Sequence, residues 1–209
     1  MNHLPLQITG DVKIWSPTDG TIFYHDHNAI HYENFSLAIA QSLVNGGQGF
    51  VSEMVFGNGG TSIDNTGVIT YLPTNTKGSN SSLYNQTYNK IVNQYQSSNT
   101  DATRNNIQVR HTPGQVYTDL FISCVLDYGE PSDQLAFDNS YLVNDTYVFD
   151  EMGIKSYAGT TTDDSGVTAN PGMLLTHVIF HPIQKSLNRQ IQVDYTIRIQ
   201  SLTNLGVSA

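Results

Sequence analysis

A single cysteine, nine basic side chains and no long apolar run are the first things the sequence withholds. With only Cys124, an intramolecular disulfide is impossible. Its place in Leu120-Phe-Ile-Ser-Cys-Val-Leu126 predicts a buried thiol in a reducing compartment. Nine lysines and arginines face eighteen aspartates and glutamates, a net charge of −9 that is repelled by phosphate backbones and anionic lipid. Nucleic acid and membrane surfaces are therefore not expected partners. No segment approaches the 18 or so apolar residues of a membrane span, and the N-terminal residues lack the basic and apolar regions of an export signal.

Charged residues make up only 13% of the 209, about half the usual share, and Asn, Gln, Ser and Thr take their place. That composition favours strands, turns and loops over exposed helices. The apolar fraction of 38% rises to about 46% once the 17 glycines are added, an ordinary globular value. A chain of this length buries roughly 70% of its unfolded surface and needs no staple. Neither an internal repeat nor a clean linker interrupts it, so residues 1–209 are read as one domain.

Val12–Trp15 and Thr21–Tyr24 flank Ser16-Pro-Thr-Asp-Gly20, which predicts a hairpin over about 10–25. From about 28 to 45 the period changes. Phe35, Ala38/Ile39 and Ser42/Leu43 recur at helical spacing, and Asn45-Gly46-Gly47 supplies a stop. Strand character then runs through 49–200, with polar excursions at 71–104, 127–144 and 156–172. Pro113-Gly114 marks a second turn. In the last strand Ile191, Val193, Tyr195, Ile197 and Ile199 alternate with polar residues, so one face enters a core. One helix, many strands and no βαβ rhythm predict an all-β fold, a β-sandwich with one prominent α-helix and long polar loops.

Reactive groups are few. His25, His27 and His31 lie close enough in sequence to be a weak candidate metal cluster, although hydrogen bonding is the commoner role of such histidines. His177 and His181 share one strand face and are expected to hydrogen-bond at a sheet margin. Gly57-Asn-Gly-Gly-Thr-Ser62 has the glycines of a phosphate loop but no following lysine, and tight turning is its expected purpose. Asp150 and Glu151 are adjacent, and neighbours on a strand point to opposite faces. They cannot converge as a glycosidase pair unless the backbone bends sharply. Glu151 is expected instead to meet Lys155, Lys185 or Arg189. Cys124 lacks electropositive neighbours, and no nucleophile elbow is present. No catalytic residue, metal or cofactor is assigned, and the chain reads as a non-enzyme.

Twelve tyrosines suggest contact surfaces. Tyr84, Tyr88, Tyr95, Tyr141 and Tyr157 are the interface candidates, since tyrosine offers large area at low rotamer cost both to proteins and to carbohydrate. Composition alone favours neither use.

The order of segments carries a resemblance. Met54-Val-Phe-Gly-Asn-Gly-Gly60, Leu83-Tyr-Asn-Gln-Thr-Tyr88, the strand pair at Pro113-Gly114, Tyr147-Val-Phe-Asp-Glu-Met-Gly-Ile154, Leu174-Leu-Thr-His-Val-Ile-Phe180 with Lys185, and the alternating last strand resemble tailed-bacteriophage virion structural proteins. The likeness extends to small phage structural proteins and to the virion-attachment domains of tail-collar fibres. Asn28-Ala-Ile-His-Tyr-Glu-Asn-Phe-Ser36 is similar to virion proteins of large marine and cyanobacterial phages. The resemblance implies a non-enzymatic component of the virion, assembled in the host cytoplasm: an adaptor, collar, neck or baseplate protein. Its implied partners are other virion proteins and copies of itself in a homo-oligomer. Capsid decoration is the alternative within that class, and a carbohydrate-binding module is the alternative outside it.

Overall fold

The structure is a computed structural model and describes residues 5–78, 81–131, 146–162 and 168–202. The elements in chain order are β1 (Leu6–Trp15), β2 (Ile22–His27), β3 (Ala29–Ile30), α1 (Tyr32–Leu43), β4 (Val51–Gly57), β5 (Thr61–Ile63), β6 (Ile69–Tyr71), β7 (Gln86–Ile91), β8 (Asn106–Arg110), β9 (Tyr117–Leu126), β10 (Thr146–Ser156), β11 (Thr161–Thr162), β12 (Thr168–Ala169), β13 (Leu174–Ser186) and β14 (Ile191–Ser201). Two five-stranded antiparallel sheets, β2-β1-β14-β9-β8 and β3-β13-β10-β4-β7, pack as a β-sandwich. The pairs β5–β6 and β11–β12 form small ribbons.

The alternation of β14 places it at the centre of the first sheet. Ile191, Val193, Tyr195 and Ile197 are fully buried, and β1 and β9 pair on either side in unbroken register. Val12 and Ile14 from β1 and Ile122, Cys124 and Leu126 from β9 complete that inner face. The second sheet answers with Met54, Phe56, Phe149, Met152, Ile154 and Phe180. Phe149 meets Phe56 and Phe180 edge to face, with ring centres 5.4 and 5.6 Å away. Each such ring contributes about 1.5–3 kcal/mol through its removal from water.

The first hairpin forms as expected. Gly20 takes φ +76, and Ser16 exchanges backbone hydrogen bonds with Thr21 and Gly20. The helix is shorter than the expected 28–45. Ala29 and Ile30 pair with β13 as a short strand, and His31 then caps the helix, its Nδ1 accepting from the Asn34 N–H at 3.2 Å. Asn45, at φ +51, ends it where the asparagine-glycine stop was expected. Among the described residues no helix is long and apolar enough to cross a membrane.

Candidate functional site

Two places in the sandwich gather groups that could bear function. The first is the outer face of the second sheet, covered by the excursion from β4 to β7. Leu83 packs there on Val55 and Leu174, a small second core. Beside it Glu151 and His177 are both fully buried, with His177 Nε2 3.0 Å from Glu151 Oε2. Asn75 N–H donates to His177 Nδ1 at 2.8 Å, so the ring is the tautomer that carries its hydrogen on Nε2 and donates it to the carboxylate. Glu151 also accepts from the N–H groups of Tyr84 (2.9 Å), Asn85 (2.7 Å) and Gly59 (3.2 Å). Burial alone raises its carboxyl, but the His177 bond and the Asn85 and Tyr84 amides outweigh it and hold the group below the ordinary glutamate value.

Asp150 accepts from the Gly60 and Thr61 N–H groups, each at 2.9 Å, and from the Thr61 hydroxyl. Two consecutive carboxylates therefore reach one turn, contrary to the strand alternation expected of them. The cause is an irregularity in the β10–β13 ladder. Phe149 pairs with Ile183 and Glu151 with Ile179, leaving Asp150 against three residues of β13 that include Pro182. Proline has no N–H to give the ladder, and the bend falls at that point. Neither Glu151 nor His177 has a donor or acceptor turned to solvent. The pair works as a clamp on the excursion.

The expected salt-bridge partners of Glu151 are engaged elsewhere. Lys155 Nζ donates to Asn170 O and lies 3.7 Å from Glu53 Oε1. Lys185 is buried, donates to Ser186 O, and is pushed down to about 8 by that burial. The Arg189 guanidinium sits over the Phe23 ring. Gly57, Gly59 and Gly60 also differ from expectation, because none takes a positive φ. They are small because there is no room. A Cβ on Gly57 would stand 2.4 Å from Asn85 O and 2.5 Å from Glu151 Oε1.

The second place is a cleft of about 670 Å³ at one end of the sandwich. Ile107, Val109, Leu120 and Ile199 form its floor, on the inner face of the first sheet. Phe35, Ala38, Ile39 and Leu43 of α1 form a wall, and none of the lining residues is charged. At the mouth Leu43, Tyr95 and Val109 are 81%, 88% and 70% exposed. Beside it the edge strand β8 is partly closed by a side chain. Gln94 accepts from Ile107 N–H and donates to Ile107 C=O, both at 2.9 Å, as a neighbouring strand would. By the alternation of the ladder, Val109 also turns its backbone groups to the free edge.

The histidines named from sequence separate. On the exposed strand β2, His25 Nε2 lies 3.3 Å and His27 Nδ1 3.9 Å from the carboxylate of Asp11 on neighbouring β1, whereas His31 is buried and donates to Gly78 O. Among the described residues no group of three His, Cys, Asp or Glu side chains could hold a metal ion. His177 does hydrogen-bond, but in a buried site and not at the sheet margin, while exposed His181 meets the Tyr71 hydroxyl at 3.2 Å. Cys124 is fully buried, and burial pushes its thiol up to about 12.

Of the tyrosines, Tyr95 stands at the cleft mouth. Tyr88 is not at the surface: it is packed in the core against Phe56, because its strand turns that position inward. Tyr84 lies against His177 and donates to Pro73 O, and Tyr157 stacks on Phe50. Tyr84 is 43% exposed. Tyr141 lies outside the described residues. The cleft was missed from sequence. Its signal was on α1, where Leu43, apolar and exposed, extends beyond the buried stripe of Phe35 and Ala38.

Compared with known proteins, the chain matches no family model, no curated protein and no solved structure.

Proposed function

We propose that this protein is a non-enzymatic structural component of a tailed-phage virion, an adaptor, collar, neck or baseplate protein that works through repeated protein contacts. The observation that carries the reading is the uncharged cleft with its apolar rim. Monomeric proteins rarely leave such patches open, and packing against a neighbour removes them from water. The segment order that resembles phage structural proteins supports it. The low charge density supports it as well, since few ions must be stripped of water when copies pack, and the net charge of −9 keeps surplus copies apart in solution.

The packing of the groups that suggested chemistry or glycan binding supports a non-enzymatic reading. Glu151 and His177 spend their hydrogen bonds on the β4–β7 excursion, and Tyr84 and Tyr157 spend their rings on neighbouring side chains. Immunogold labelling of intact particles tests the placement. Label at the tail, neck or baseplate is the expected result. Label spread over the head would reassign the protein to capsid decoration, and unlabelled particles would overturn the virion reading.

A further inference from the structure

The first sheet ends in an edge that is closed at one residue and open two residues on. β8 turns alternate residues to β9, so the N–H and C=O groups of Ile107 and Val109 face away from that ladder. The Gln94 amide takes both groups of Ile107. Among the described residues none bonds those of Val109, and β8 ends one residue later at Arg110. An open N–H and C=O on an edge strand are a template for a second strand, and β8 carries neither a proline nor a lysine to block one. Val109 also turns its exposed side chain to the cleft, beside Leu43 and Tyr95 at the mouth. One residue therefore joins the open backbone to the apolar rim.

We propose that two copies of this chain pair β8 to β8 about a two-fold axis at Val109. This rests on the reading of the protein as a repeating structural unit and names a contact that two copies share. The edge is self-complementary. Directly opposed residues of an antiparallel pair exchange both N–H and C=O bonds, so the axis gives the open N–H of each Val109 the open C=O of the other. The register has no alternative. A slip toward Ile107 meets the Gln94 amide, and a slip the other way runs past the end of β8. The side chains fit the same register, because both Val109 side chains fall on one face of the joined sheet, where the open sides of the two clefts meet and their apolar rims cover each other. On the outer face Arg110 of one copy comes opposite Gln108 of the other, and Gln108 Oε1 already accepts from the Arg110 guanidinium at 3.0 Å within one copy. Charge selects this place for two like chains. Each carries a net −9, so they approach closely only where neither brings a charge, and the cleft lining holds none. A peptide laid on the edge would gain the same two bonds without the matching rim.

Analytical sedimentation of the full chain tests the contact. The unaltered protein should reach a dimer at near-millimolar concentration and nothing larger, since a two-fold contact closes at two copies. Val109→Lys sets two ammonium groups against each other across the axis, and self-association should weaken about 100-fold or more. The position is exposed in the single copy, so its circular dichroism should match that of the unaltered protein. Ile63→Lys, at an exposed site on the β5–β6 hairpin, should leave the dimer as it was. The register has its own test. Opposed Cα atoms in such a pair lie about 5.5 Å apart, so a short bismaleimide should link two copies of Val109→Cys, whereas Ile63→Cys should stay unlinked and Cys124 is buried out of reach. An unaltered protein that stays monomeric, a dimer that Val109→Lys leaves intact, or a Val109→Cys dimer that does not link overturns the proposal. A monomer whose cleft takes up an apolar dye overturns it too, and gives the cleft to a small apolar ligand. A chain present in washed particles but monomeric when pure loses this contact and keeps the virion reading. A dimer that depends on Val109, from a chain missing in particles, does the reverse.

Discussion

Glu151 and His177, on adjacent strands of the second sheet, hold each other at 3.0 Å with both side chains fully withdrawn from solvent. Three backbone amides complete the shell of the carboxylate, and all three belong to the excursion that carries the exposed hairpin and Leu83. The pair ties the outer face of the second sheet to the excursion that covers it.

Replacing Glu151 by Gln keeps the size but turns an amide N–H₂ toward groups that are all donors. The expected cost is about 3 kcal/mol of unfolding free energy, the scale for breaking a buried charged network. Urea denaturation followed by fluorescence measures it. His177→Ala should cost a similar amount. The double variant should cost less than the sum of the two, since both changes break the same bond.

The pH dependence follows from the sign of the Glu151 shift. Its carboxyl is held below the ordinary glutamate value in the folded chain, so on acidification the unfolded chain takes up the proton first. The stability it contributes is present above that ordinary value and is lost as pH falls through the lower, folded one. The unaltered protein should therefore lose stability on acidification more steeply than Glu151→Gln. Urea midpoints from neutral pH downward give the comparison, and parallel curves would contradict the assignment.

Crowding, not turning, explains the glycines at and just beyond the end of β4. Gly57→Ala should destabilise by about 1–3 kcal/mol, since its Cβ meets Asn85 O and Glu151 Oε1 at distances real side chains do not adopt. Gly46→Ala is the control. Its nearest neighbour would be 3.8 Å away and its φ is not positive, so the change should stay within about 0.5 kcal/mol. Thermal melting distinguishes the two.

The Cys124 thiol, buried between the sheets and pushed up to about 12, should resist thiol reagents in the native protein. Labelling with a maleimide is expected to track global unfolding, rising with urea in step with the loss of tertiary structure. Rapid labelling in buffer would show that the core opens at β9.

Much of the frame could be read before folding. The alternation from Ile191 to Ile199 announces a central strand, Pro113-Gly114 announces the β8–β9 connection, and Asn45-Gly46-Gly47 ends the only long helix of the described residues. What sequence could not announce depends on pairing between distant segments. The bend at Asp150 exists because Pro182 comes to lie opposite it, and nothing local to Asp150 reports that. Ile30 looks helical until β13 offers it a ladder partner. Leu43 and Val109 carry ordinary apolar side chains. They stay exposed at the mouth of the cleft because the second sheet and α1 leave this end of the first sheet incompletely covered.

The proposed role is that of a repeated structural part of a phage particle. Quantitative mass spectrometry of gradient-purified, salt-washed particles tests it most directly. In that role this chain is retained through washing at a fixed multiple of the other tail, neck or baseplate proteins. Its presence in the lysate together with its absence from the washed particles would contradict the claim.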